Sequence, residues 1–439
     1  AFAAFRNLPP LVDARLRVAY LSKDWGFSSV GQLLPRLLAS HDRRRIAVTV
    51  LCLNPSDESE TRRQLEGGVE NWVDIVGARG VGIAEQINSL GINILLDLGG
   101  HLSIEAQVAL ALRPAPVAMG YLSWLSSSAS DYLQHFVSDR VVTPVEYAEA
   151  DFSEALAFLP HSYQVNSNRF THGDHAFTYK ARHTLLHPGE NDPLLDPLPA
   201  PLDEKAVIFG NFNQLFKVGH DTFRAISQIL KVTDNSVLAI LNFTGAPDGP
   251  RGLPASFSRD AGIDARRVRV APFCVSKFDF LRLASGADIF LDNFFYNAGT
   301  TGGDVLFAGV PTVTLAGRRT LARMGASMAL AGLAFPLLIA RTEAEYVALA
   351  VRLAARPLLL ARIRLALSRQ VRLASLFDAD RWAVSFETLL FSAWDAALIK
   401  PPERASRPPK PVDLGPGVGE HTLGAGGHAS WRLVIAAPQ

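Results

Sequence analysis

The chain has 439 residues, with 43 Lys and Arg against 42 Asp and Glu, a formal charge of +1, 48% hydrophobic and 19% charged residues. That length exceeds the roughly 250–300 residues at which a single core stops growing, so two domains are expected. Near-neutral charge gives no global reason to expect nucleic acid or an anionic membrane as partner, so any anion must be held by local groups.

From 16 to 139, apolar strands alternate with helical patterns, the signature of a parallel sheet covered on both faces. The first strand is expected at 16–22, a helix at 30–40, a strand at 46–53, a helix at 82–90 and a strand at 92–98 running into Gly99, Gly100 and His101. The two cysteines, Cys52 and Cys274, stand far apart at predicted strands, which predicts no disulfide framework and a reducing compartment. Between 166 and 204 the alternation fails, and Pro188, Pro193, Pro197, Pro199 and Pro201 exclude helix interiors and central strands. This segment is the expected domain boundary.

Alternation then restarts, with strands at 206–210, 236–242, 268–272, 288–291 and 311–315 and helices at 221–231, 277–286, 301–309 and 320–332. The weakly polar run 325–340 is short for a membrane span and contains Pro336, so a buried helix and strand are expected there. Residues 343–398 are helical in period. The sequence therefore predicts an α/β protein with a first half at 15–165, a linker at 166–204, a second half with closing helices at 205–398 and a disordered tail at 399–439. Ligand is expected at the carboxyl ends of the strands.

The chemistry concentrates in 292–314, DNFFYNAGTTGGDVLFAGVPTVT. Thr300, Thr301, Gly302 and Gly303 are small residues at the first turn of a predicted helix, where free backbone N–H groups and the helix dipole favour an anion. Asp304 follows, placed to accept hydrogen bonds from a sugar hydroxyl. Upstream, the strand 206–210 leads into NFNQLFK, which puts the Gln214 amide and the Lys217 cation on the next loop. These read as two walls of one nucleotide-sugar site. No GxGxxG follows a strand and no GxSxG is present, which argues against a dinucleotide oxidoreductase and against a serine hydrolase.

Eight ordered segments carry a family resemblance: RVAYLSKDWG (17–26), ILLDLGGH (94–101), LRPAPVAMGYLSW (112–124), DYLQHFVSDRVVTP (131–144), FLPHSYQVN (158–166), GNFNQLFK (210–217), NSVLAIL (235–241) and NAGTTGGDVLFAGVPTVTLAG (297–317). In order, they resemble the catalytic region of the protein O-GlcNAc transferases and the related SPINDLY-type O-fucosyltransferases. The resemblance implies a GT-B fold, two Rossmann-like domains facing each other across a cleft. It implies an inverting enzyme that needs neither metal nor cofactor and moves a sugar from a nucleotide donor to Ser or Thr hydroxyls of intracellular proteins. Cytoplasmic or nucleocytoplasmic location is the matching expectation, with no nucleic acid and no membrane as partner.

Residue by residue, Lys217 resembles the family lysine that sits against the diphosphate and Gln214 the neighbouring donor contact. Thr300 and Thr301, with Gly302, resemble the phosphate-holding pair, and Asp304 the acidic residue on the ribose. Lys277 resembles a lysine near the nucleoside, and Phe280 stands where a histidine packs on the base. Each has a plainer reading as well: a solvated loop charge for Lys217, helix capping for the threonines and a favourable first-turn charge for Asp304. Arg323 resembles a family arginine and equally reads as a helix-surface charge.

Two positions depart from the pattern. The family turn reads His-Thr-Thr-Gly, whereas this chain has Gly299 before Thr300, and Ser28 lies where a histidine is common near the acceptor end. Ser28 is no base at neutral pH without a partner. His101 is the remaining imidazole on a strand-end loop, read either as a catalytic or pocket-lining group or as a histidine bonded to backbone. UDP-GlcNAc is the expected donor, with GDP-fucose and a catalytically impaired sugar-nucleotide binder as alternatives. Asp378-Ala-Asp380 is expected to cap a helix rather than hold metal, and His172, His175, His183 and His187 to be solvated.

Overall fold

The computed structural model describes residues 14–173, 182–186, 203–242, 252–399 and 435–436. The chain divides into two compact units: Ala1–Thr171 with Ser375–Gln439, and His172–Ala374. Most of the proline-rich linker, His175, His187, the His183 side chain and nearly all of the predicted tail lie outside the described residues.

The first unit is built on strands β1 (Leu16–Ser22), β2 (Ile46–Cys52), β3 (Asn71–Asp74), β4 (Ile94–Asp97), β5 (Val117–Gly120), β6 (His135–Asp139) and β7 (Ala155–Leu159). They lie in the order β3-β2-β1-β4-β5-β6-β7, all parallel, with the two-residue strand Ile435–Ala436 antiparallel to β7 at the edge. β2 and β4 are buried along their whole length. That is why they read as continuous apolar runs rather than alternating ones. Ser103 and Ser59 cap helices by accepting from the N–H groups of Ala106 and Arg62.

The second unit carries β8 (Val207–Asn211), β9 (Ser236–Leu241), β10 (Val268–Ala271), β11 (Ile289–Leu291), β12 (Thr312–Leu315) and β13 (Ile339–Ala340). Their order, β10-β9-β8-β11-β12-β13, is again parallel throughout. In both sheets the strand order therefore reverses once, at β1/β4 and at β8/β11, the points where a parallel sheet offers a crevice at the carboxyl ends of two strands. One core of the second unit packs Phe209, Ile226, Ile229, Leu291 and Tyr346, and the other packs Phe212, Phe280, Phe290 and Val305.

Three expectations are corrected. The second half was expected to run to 398, but helix Ala379–Ile399 belongs to the first unit. Its face of Trp382, Phe386, Leu389, Leu390 and Trp394 is buried, the Trp382 indole donates to Ser162 O at 3.0 Å, and Glu387 meets the His41 ring at 3.0 Å. This helix is long and apolar enough to cross a membrane by length and composition, yet half of that surface is spent inside the unit. The linker was expected from 166, but Asn166, Ser167 and Asn168 are buried in the first unit. The single helix expected at 320–332 is three short turns: 3-10 at Thr320–Ala322, α at Met324–Ser327 and π at Met328–Gly332. Gly325 and Gly332 weaken helical continuity there. Cys52 and Cys274 are free thiols.

Candidate functional site

At the β8/β11 crossing the two strand ends are tied by amides. Asn211, the last residue of β8, donates through Nδ2 to Asn293 Oδ1 at 2.8 Å and accepts from Asn213 N at 3.2 Å. Asn213 and Asn293 are almost wholly buried, and both polar atoms of the Asn213 amide and the Asn293 Nδ2 have no protein partner. Buried amide atoms of this kind cost about 1–3 kcal/mol each unless water or a ligand completes them, so the crossing is built to receive polar atoms.

Asp292 sets the shape of the turn that follows β11. Its fully buried carboxylate accepts from Asn293 N at 2.9 Å, Ala298 N at 2.7 Å and Thr314 Oγ1 at 2.8 Å. Its carbonyl accepts from the Tyr346 hydroxyl at 2.9 Å. Burial pushes its carboxyl up to about 6, against the pull of those donors and of the Lys217 charge. Asn297 extends the clamp by accepting from Gly325 N at 3.1 Å. So held, the chain turns into helix Thr300–Phe307 with Gly299 at the N-cap, no side-chain cap and no acidic residue in the first turn. Thr300 and Thr301 are half-buried and Gly302 is buried at the helix's amino end, where first-turn N–H groups and the helix dipole favour an anion.

Lys217 closes a 3-10 turn, Leu215–Lys217, on the β8 loop. Its Nζ lies 3.7 Å from the centre of the Tyr296 ring, on the same turn that Asp292 folds. Burial pulls the ammonium down to about 8, and Asp292 opposes that shift. Lys277, the first residue of helix Lys277–Ala284, pairs with the Asp304 carboxylate, both ends of the pair being largely buried. Gln214 is exposed on the Lys217 loop. The structure thus brings Lys217, Lys277, Thr300, Thr301, Gly302 and Asp304 to the loops and helix ends above one sheet.

Phe280 differs from its expected role as a base platform, since it is 9% exposed and packs edge-on against Phe212 at 6.1 Å in the core. Arg323 holds the Gly317 carbonyl at 2.8 Å. A Cβ on Gly299 would meet nothing nearer than Met324 Sδ at 3.7 Å, so the glycine is not required by space. Sequence reasoning missed Asp292, Tyr296, Asn213 and Asn293. A polar run directly after a buried strand is the signal that marks them.

In the first unit the β1/β4 crossing holds Asp97, which accepts from Gly99 N at 3.0 Å and Gln107 Nε2 at 3.0 Å, its carboxyl raised by burial. His101 is exposed beside it, with Nε2 3.1 Å from Ser128 O and its ring edge-on to Trp124 at 5.1 Å. This contact matches the backbone-bonded reading of His101. Ser28 is a turn residue whose hydroxyl donates to Asp24 O at 2.5 Å and accepts from Gly31 N at 2.9 Å. Asp378 accepts from Arg381 N at 3.1 Å and Asp380 binds Arg36 at 2.7 Å, so both DxD carboxylates are spent on helix capping and pairing. Among the described residues no group of three or more His, Cys, Asp or Glu is arranged to hold a metal ion.

Known proteins are similar to this chain in sequence and fold. The sequence profile of glycosyl transferase family 41 matches residues 3–186 and 199–386. A probable UDP-N-acetylglucosamine–peptide N-acetylglucosaminyltransferase, SEC, of Arabidopsis thaliana is 30% identical over 87% of this chain and 37% of its own length. The UDP-N-acetylglucosamine–peptide N-acetylglucosaminyltransferase of Caenorhabditis elegans is 25% identical over 87% of this chain and 41% of its own. This chain thus spans well under half the length of these relatives. A mutant of the Thermobaculum terrenum O-GlcNAc transferase superposes with TM-score 0.74 at 25% identity, over 88% of this chain and 68% of that one. The two parallel sheets are those of a GT-B fold. The chain belongs to glycosyl transferase family 41.

Proposed function

We propose that this chain is the catalytic part of a protein O-glycosyltransferase that moves N-acetylglucosamine from UDP-GlcNAc to Ser or Thr hydroxyls, with inversion and without divalent metal. The observation that carries this reading is the placement of the Lys217 ammonium on Tyr296, beside the turn that opens helix Thr300–Phe307. Breaking the sugar–phosphate bond builds negative charge on the departing diphosphate. A preorganised cation and the N–H groups of Thr300, Thr301 and Gly302 neutralise that charge where it appears. Asp304 and Lys277 take the nucleoside end, exchanging part of their mutual pairing for ribose contacts. Gln214 binds the donor from the exposed side of its loop, and His101 lines the acceptor end. The names of the relatives favour N-acetylglucosamine over fucose.

A second reading, a sugar-nucleotide binder without turnover, is favoured by Ser28, whose hydroxyl is committed to its own turn, and by Gly299, which offers no side-chain donor. Calorimetry with UDP and GDP, beside transfer of radiolabelled GlcNAc or fucose to Ser/Thr proteins, separates the readings. UDP binding with GlcNAc transfer supports the transferase. UDP binding without transfer supports the binder, and preference for GDP with fucose transfer moves the chain to the fucosyl branch.

A further inference from the structure

Lys217 and Lys277 are two cations of one site with opposite fates. Lys277 is bound to a carboxylate, Asp304, and the pair is nearly neutral as a unit. Lys217 instead rests on an aromatic face, 3.7 Å above the Tyr296 ring. A ring attracts a cation through its quadrupole without cancelling its net charge, so a lysine seated this way keeps a full positive charge to offer an incoming anion. The ring is itself steadied, half-buried and edge-on to Phe216 at 6.3 Å. A free lysine has four flexible bonds and would be ordered only when ligand arrives. Ordering it beforehand removes that cost from binding.

We propose that Tyr296 is a positioning residue for the transfer reaction, its ring serving as the seat that holds the Lys217 ammonium at the phosphate-binding turn. The proposal rests on the transferase reading of the site. The charged and titratable groups on the elements of this site are Asp292, buried at the base of the same turn with Tyr346 on its carbonyl; the Lys277–Asp304 pair; and His220 with Asp221 on the helix after Lys217, 3.8 Å apart in solvent. Burial lowers the Lys217 ammonium, and Asp292 is the charged group that opposes that shift. Removing the ring while keeping the place dry therefore leaves the ammonium less favoured and easier to deprotonate.

The test is UDP calorimetry from pH 6.5 to 9.5 on the wild-type chain, Tyr296→Phe, Tyr296→Leu and Lys217→Ala, with melting curves to establish that each is folded. Wild type and Tyr296→Phe should share one profile, weakening on the alkaline side. Tyr296→Leu should bind roughly 5- to 10-fold more weakly at neutral pH, with its alkaline limb moved to lower pH. Lys217→Ala should have no such limb. A Tyr296→Leu profile that superposes on wild type overturns the seat, as does a Tyr296→Phe profile damaged equally, which would assign the effect to the hydroxyl. Failure of the wild-type chain to bind UDP overturns the transferase reading instead. NMR titration of the Lys217 ε-carbon in the ligand-free chain then decides the seat alone: a lower midpoint in Tyr296→Leu upholds it, and an unchanged one overturns it.

Discussion

The Lys277 ammonium and the Asp304 carboxylate are paired across the first turns of helix Thr300–Phe307, with side-chain exposures of 11% and 3%. Two groups expected to hold a nucleoside are paired with each other, so neither is an uncompensated buried charge. Asp304→Asn and Lys277→Met should each weaken UDP binding by roughly 10- to 100-fold. The double variant should lose clearly less than the product of the two, because they share one interaction. Calorimetry on the four proteins checks this, and strict additivity would contradict a shared role.

The half-buried Lys217 ammonium, pulled down to about 8, sets an alkaline limit. Its charge is present below that value and is lost as pH rises through it. The free-enzyme group should appear in kcat/KM as a fall above pH of about 8, and bound diphosphate should move the fall in kcat to higher pH. Initial rates across pH 6.5–9.5 provide the check. A flat kcat/KM through this range contradicts a catalytic ammonium.

Acid should act differently on the two units. His135 and His161, buried in the first unit, are held neutral down to about 4, whereas in the unfolded chain they take up protons near 6.5. Stability present above 6.5 is therefore lost as pH falls towards 4, on the order of 3 kcal/mol per histidine at full shift. The raised carboxyl of Asp97 offsets part of this. In the second unit Asp292 has the opposite sign, since its carboxyl, raised from 3.8 to about 6, takes up a proton in the folded state first. Hydrogen exchange at pH 7 and pH 5 should show protection lost mainly in 14–171. Equal loss in both units would contradict the assignment.

Two glycines near the turn should respond oppositely to a side chain. A Cβ at Gly299 finds ordinary contact distance to Met324, so Gly299→His should tighten UDP binding several-fold by supplying a phosphate-side donor, at some cost in stability because φ −78° and ψ −99° lie outside the α and β regions. A Cβ at Gly325 would collide with Thr314 Oγ1 and Asp292 Oδ2. Gly325→Ala should lower the melting temperature and weaken UDP binding together. Thermal melts and calorimetry test the pair; an unaltered Gly325→Ala would contradict the role given to the Asp292 clamp.

The parallel strands and the helix start at Thr300 were legible because each is written locally. Continuous apolar runs mark buried strands such as β4, and Thr-Thr-Gly-Gly after a polar turn marks the start of a helix. What stayed hidden depends on distant partners. Nothing near Trp382 announces that its indole meets Ser162, 220 residues away, so its helix was placed with the wrong half. Tyr296 and Asp292 were within the motif as read, but their roles come from contacts with Lys217 and Thr314 made only once β8, β11 and β12 lie side by side. Phe280 misled for the same reason, because an aromatic residue on a helix looks alike from the sequence whether it faces a base or Phe212.

In the proposed transfer the Lys217 ammonium neutralises the charge that builds on the departing diphosphate. Single-turnover transfer of GlcNAc from UDP-GlcNAc to a Ser/Thr acceptor, comparing wild type with Lys217→Ala at saturating donor and with EDTA present, tests it most directly. The expected result is a rate lower by roughly 100- to 1000-fold in the variant, UDP still bound, and no loss for wild type on chelation. A variant that transfers sugar at the wild-type rate would contradict the account.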